Sequence, residues 1–282
     1  MSDATARLNE KQDARQRQAE SSGRGAPVWW LMFIRELADL WIGGKALYLI
    51  LAYSVFLGFQ AYAQVKTSET SLIPPKEMVF SSLQVVIYVG GIIGLIIGAD
   101  SISGERERGT LEALLLTPAS RRQIILGKLL AGLSPWPLAL LIATPFFLML
   151  AQGDPVFGQA LYWGGIVGTL LAIGFTGLGM LISFWSNSNR VSFFVSLGIY
   201  LVLLLPSSWP GRTVRGFVAK IFQRLNPIEG PINEFLPKIL VNNRTFSEYE
   251  HWLRTPEVFA GVVILLLFLY AGSRLRIDAR QR

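Results

Sequence analysis

The sequence predicts an all-α integral membrane protein: six transmembrane helices, an N-terminal interfacial helix, a short cytoplasmic helix between spans two and three, and an outer amphipathic or re-entrant segment between spans five and six. Three observations carry this. Of 282 residues 51% are apolar and only 16% charged, with a mean hydropathy of +0.43, whereas a soluble domain carries about 25% charge. Six charge-poor stretches are each long enough to cross a bilayer or nearly so. The basic residues concentrate in alternate connections, the pattern that sorts loops across a membrane.

The same composition excludes several functions. With no cysteine and one histidine there is no disulfide framework, no thiol nucleophile and no multi-histidine metal cluster, so no metal site is expected. The net charge of +7 and pI near 9.8 belong to loop sorting in so apolar a chain, and nucleic acid is not an expected partner.

Along the chain, residues 1–26 hold five basic and four acidic residues among Gln, Ser, Gly and Ala. So few large apolar side chains predict a disordered cytoplasmic leader, with no signal-peptide core. In 27–44 the residues Trp30, Phe33, Ile34, Leu37 and Trp41 recur at helical spacing, with Arg35, Glu36 and Asp39 opposite. That pattern predicts an amphipathic helix in the membrane interface, ended by Gly43-Gly44. The spans are expected at Ala46 to Gln64, Met78 to Ala99, Ile124 to Leu150, Gln159 to Phe184, Val191 to Leu205 and Pro256 to Gly272. They form one six-span membrane domain over 45–273, followed by a basic tail at 274–282.

An even number of spans places both termini on one side. Seventeen of the 26 basic residues then fall on the terminal side, which predicts cytoplasmic termini. Gly90, Gly94 and Gly98 in the second span, and Gly164 with Gly168 in the fourth, form small-residue runs that let helices approach closely. Spacing alone leaves open whether those contacts lie within one chain or across a dimer. Pro135, Pro137 and Pro145 predict a bent or broken third span.

Between spans two and three the residues Glu105, Arg106, Glu107, Arg108, Gly109, Thr110, Leu111, Glu112, Ala113, Leu114, Leu115 and Leu116 alternate charge and then present a leucine stripe. Leu111, Leu114 and Leu115 lie on one helical face, Arg108 and Glu112 are spaced as an i,i+4 pair, and Ser120 with Gln123 is a capping box that starts the next helix. A short helix there is set to dock on something. In the loop after span five, Val214, Phe217, Val218, Ile221, Phe222 and Leu225 follow the helical period from Arg212 onward, so a second interfacial helix is expected, broken at Asn226-Pro227 and Gly230-Pro231. Few apolar residues follow Pro231, which argues against a folded outer unit. His251 reads as a wet surface histidine.

The run from Gly104 to Pro118, followed by Ser120-Arg-Arg-Gln-Ile-Ile-Leu-Gly-Lys128, resembles the loop joining the second and third helices of permeases in type-two ATP-binding cassette (ABC) exporters. Arg35-Glu36-Leu37, the six-span order and the long fifth loop resemble that family more loosely over nearly the whole chain. The resemblance implies that Glu105 to Leu116 form a coupling helix contacting an ABC ATPase subunit. It further implies two permease chains, identical or paralogous, over two ATPase copies. Phe217 and Phe222 would then anchor an outer gate. No G-x-x-x-x-G-K-[ST] run is present: Gly127-Lys128 is preceded by Arg122 and Gly44-Lys45 by Asp39 at the position of the first glycine. ATP and Mg²⁺ are therefore expected on the partner, with no cofactor on this chain, in the plasma (inner) membrane. A secondary transporter would need intramembrane carboxylates or lysines at mid-depth, and an intramembrane enzyme would need clustered His, Glu or Asp; the spans offer neither. A non-transporting membrane anchor for an ATPase would carry the same coupling loop.

Overall fold

The computed structural model describes residues 27–66, 73–208, 225–242 and 244–274, and every regular element among them is helical. In chain order these are α1 (Val28–Ile42), α2 (Lys45–Lys66), α3 (Pro75–Glu107), α4 (Leu111–Leu115), α5 (Arg121–Leu133), α6 (Pro135–Ala151), α7 (Val156–Trp185) and α8 (Asn189–Ser208). A π-helical segment (Glu229–Phe235), α9 (Leu236–Leu240), α10 (Phe246–Tyr249), a 3₁₀ turn (Glu250–Trp252) and α11 (Arg254–Arg274) complete the fold. Five segments are long and apolar enough to cross a membrane: α2, α3, α5 with α6, α7, and Phe246–Tyr270; Asn189–Leu205 is a shorter apolar helix. The leader, most of the basic tail and the expected outer helix through Arg224 lie outside the described residues.

The centre of the bundle is the pair α3 and α7. In each, 61% of the apolar window is buried, against 28% in α2, so α2 lies at the periphery. The glycines explain how the two central helices pack. A Cβ on Gly98 would sit 2.1 Å from the Thr176 carbonyl oxygen, and one on Gly179 2.3 Å from the Leu95 carbonyl oxygen; the two backbones are in direct contact. At Gly90 and Gly168 the intruding group is instead the Trp136 ring, at 2.6 and 2.1 Å, while Gly94 faces Thr176 Oγ1 and Gly164 faces Leu83. Both small-residue runs are thus filled by side chains and backbone of the same chain.

The prolines divide the third span as their chemistry requires. α5 stops at Leu133, and α6 begins with Pro135, whose missing N–H leaves no intrahelical bond to continue. Trp41 Nε1 donates to Ser134 Oγ at 3.0 Å at this joint. α1 packs along α5, with Met32 and Phe33 against Gly127. Gly43 closes α1, and Gly44 adopts φ +82°, so the chain turns at once into α2.

Two expectations need correction. The second membrane helix does not end near Ala99 but continues to Glu107, because its polar residues find partners. Ser103 Oγ donates to the Ala99 carbonyl at 2.7 Å, and the backbone N–H groups of Ile102 and Ser103 reach Ser183 Oγ at 3.1 and 2.7 Å. The few apolar residues around and after Pro231, expected to argue against folded structure there, are packed: Ile228, Ile232, Phe235, Leu236 and Leu240 are buried in the main core. Their apolar surface is small in number but fully used, and Asn226 ties the segment to α8 by donating to the Leu203 carbonyl at 2.7 Å.

Candidate functional site: the charged end of the bundle

The charged residues at one end of α1, α2, α3, α5 and α8 form two clusters. In the first, Lys128 of α5 is almost fully buried, with 3% of its side chain exposed. Its Nζ donates to Glu36 Oε2 of α1 at 2.8 Å and to Glu105 Oε1 of α3 at 2.7 Å. An ammonium out of water is tolerated only when carboxylates surround it, and here one lysine joins three helices. Glu105 Oε2 has no partner. In the second cluster, Lys45 of α2 donates to Asp100 of α3, and Arg108 lies 3.8 Å from the same carboxylate.

The end of α3 is fastened on its other side to the α7–α8 turn. Arg106 donates to the Ser186 carbonyl, and the Asn189 N–H donates to Glu107 Oε2 at 2.9 Å. Ser192 Oγ donates to the Ala99 carbonyl at 2.8 Å. Beyond Glu107 the chain reverses through Gly109, whose φ of +70° suits glycine. The Thr110 N–H then donates to the Glu105 carbonyl at 3.0 Å.

The turn carries α4. Leu114 is buried, and Leu111 and Leu115 pack against a buried cluster that includes Ile102, Ile125, Met180 and Phe184. The leucine stripe therefore faces its own bundle rather than outward, because the apolar end of the bundle would otherwise be open there. What α4 presents outward is Glu112, Ala113 and Leu116, the last 76% exposed. The expected Arg108–Glu112 pair gives way to Arg108–Asp100, since Arg108 caps α3 while Glu112 belongs to α4. Thr117 Oγ1 donates to the Leu114 carbonyl at 2.7 Å, and α5 opens with the reciprocal Ser120–Gln123 capping box.

Of the residues singled out from the sequence, Glu105 is thus interior, Arg106 and Glu107 hold the α3–α8 junction, and Arg108, Gly109, Thr110 and Glu112 are exposed. Gly90, Gly94, Gly164 and Gly168 lie deeper in the bundle, whereas Gly98 is two residues from Asp100 at this end. Phe217 and Phe222 lie outside the described residues. Sequence reasoning passed over Glu36, Lys45, Asp100 and Lys128 as site residues. The signal for Lys128 was present: a lone cation inside the apolar run Ile124 to Leu133 demands a buried partner. Among the described residues no group of His, Cys, Asp or Glu could hold a metal ion, and His251 sits exposed against the Trp252 ring.

Among the described residues, the Glu36, Asp100 and Glu105 carboxylates of this end pair with Lys45, Arg108 and Lys128, and the Ser103 and Ser192 hydroxyls with a backbone carbonyl. The exposed patch of α4 is fixed, through its leucines and the end of α3, to helices that run the depth of the bundle. The family model described as "ABC-2 family transporter protein" matches residues 11–271. No curated protein is significantly similar to the chain. A match over nearly the whole length, on a multi-pass helical bundle, establishes that the chain belongs to the ABC-2 transporter family as a membrane permease of the type-two ABC class.

Proposed function

We propose that the chain is the permease subunit of an ATP-driven exporter, forms part of the substrate path, and couples to a separate ATPase through the outward face of α4. The observation that carries this is the anchoring of α4. Its leucines are set into the bundle and its flanking turns are bonded to α3 and α5, so a force on Leu116, Ala113 or Glu112 passes to the helices without slack. The family implies an ABC ATPase partner, and the missing P-loop supports placing ATP and Mg²⁺ on that partner, with no cofactor on this chain. Two permease chains, identical or paralogous, stand over two ATPase copies. Asn189–Leu205 completes six spans, both termini face the cytoplasm, and the host membrane is the plasma (inner) membrane. The amphipathic period of Arg212 to Leu225 supports its lying in the outer interface, with Phe217 and Phe222 as the anchor of an exit gate.

The test is the double variant Ala113→Asp/Leu116→Asp. Both side chains are exposed, so insertion and thermal stability should match wild type, while the ATPase should be lost on co-purification because its groove would have to desolvate two carboxylates. Recovery of the ATPase at wild-type yield would show that α4 is not the docking element. Efflux from vesicles holding the complex separates an exporter from a silent membrane anchor.

A further inference from the structure

Between α1, α2, α3, α5 and α8, at the charged end, lies a cavity of about 500 Å³, within the range of small-molecule sites. Leu40, Leu49, Ile97 and Phe193 supply apolar wall, and Tyr48 and Phe194 at its rim continue onto exposed apolar faces of α2 and α8. Its charged lining balances in number but not in place. Glu36 and Glu105 share the single Lys128, leaving one negative charge in excess, and Asp39 beside them is exposed, with no side-chain partner among the described residues. Lys45 and Arg108 share the single Asp100, leaving one positive charge in excess, and Arg190, exposed and with no side-chain partner among the described residues, adds another. Asp100 and Glu105, which anchor the two poles, are five residues apart on α3, about 7.5 Å along its axis.

We propose that this cavity binds a zwitterionic amphiphile, with a headgroup that joins a phosphate to an ammonium on an acyl chain. The phosphate takes the pole of Lys45, Arg108 and Arg190, and the ammonium takes the pole of Asp39, Glu36 and Glu105. A purely anionic headgroup meets the acidic pole and a purely cationic one meets the basic pole, so each is rejected by part of the lining. The chain leaves along Phe193 and the apolar faces of α2 and α8. Binding stands on the cavity itself; identification of the ligand as cargo rests on the exporter reading.

Asp39 and Arg190 are exposed and do not hold the fold together, which makes them the residues to change. Binding of fluorescent lysophosphatidylethanolamine to the purified full chain is measured beside lysophosphatidylglycerol, an alkyltrimethylammonium and chain-free phosphoethanolamine. The zwitterionic lipid should bind at least tenfold tighter than the other three. Asp39→Asn should abolish its advantage over lysophosphatidylglycerol, and Arg190→Gln should weaken both phospholipids about tenfold. Equal binding of the two lipids, or affinities unmoved by both substitutions in folded protein, would overturn the proposal. ATP-driven movement of the bound probe in vesicles containing the complex marks it as cargo. Binding with the predicted charge dependence but without movement supports the site while removing its reading as a cargo site.

Discussion

Replacing Lys128 by Met removes the one cation that Glu36 and Glu105 share and leaves the aliphatic volume nearly unchanged. Breaking a buried pair by deleting one partner costs about 3–5 kcal/mol, because the remaining charge stays out of water. Here two carboxylates are left, but their side chains are 15% and 12% exposed, so some water reaches them. The lower end of the range, about 3 kcal/mol, is the expected loss. The triple variant Glu36→Gln/Lys128→Met/Glu105→Gln takes away the repulsion along with the attraction. It should return to within about 1 kcal/mol of wild type, since neutral replacement of a buried ionic cluster is often without net effect. Denaturant unfolding of the purified protein in one detergent, followed by tryptophan fluorescence, reads all three proteins on one scale. Should Lys128→Met unfold at the wild-type midpoint, or the triple variant be no more stable than the single one, the cluster is not the joint between α1, α3 and α5 described above.

Other outcomes follow from the packing. Gly98→Ala drives a methyl group into the Thr176 carbonyl and should destabilise by about 1–3 kcal/mol through overpacking, whereas Gly165→Ala meets nothing within 4 Å and should be neutral or stabilising by up to about 1 kcal/mol on helix propensity; thermal unfolding of the pair checks the contrast. Ser120→Ala breaks the capping box and should lower stability by about 1 kcal/mol, seen as faster amide exchange in the first turn of α5. A single cysteine at position 107, introduced into a chain that has none, should resist an impermeant thiol reagent applied outside intact cells, and labelling there would reverse the proposed topology.

Much of this was legible in the sequence because it depends on local chemistry. The broken third span is written in Pro135, the cap of α5 in Ser120 and Gln123, and close helix approach along α3 and α7 in the spacing of their glycines, though not which helices meet there. What was not legible depends on partners distant in sequence. Nothing in Asp100 to Glu107 says that the helix continues, because its support comes from Ser183, Ser186 and Asn189, through bonds that span 80 positions or more. A leucine stripe records that Leu111, Leu114 and Leu115 want burial, not whether their own bundle or another protein supplies it. The buried Ile228 to Leu240 segment was undervalued for the same reason: periodicity counts apolar residues but not the surfaces that receive them.

The two ways in which α3 meets α7 have a mechanical consequence. At Gly98 and Gly179 the backbones touch, and just beyond them Ile102 and Ser103 are bonded to Ser183, while at Gly90 and Gly168 the Trp136 ring lies between the helices, so α3 is bound to α7 close to one end and spaced from it by a side chain further along. From Gly98 to Glu107 is about 13 Å of helix and from Gly98 back to Pro75 about 35 Å, at a rise of roughly 1.5 Å per residue. For a rigid α3 turning about that point the far arm is roughly two and a half times the near one. In such a turn a displacement of about 1 Å at Glu107, where α4 is attached, corresponds to one of roughly 2.5 Å at Pro75.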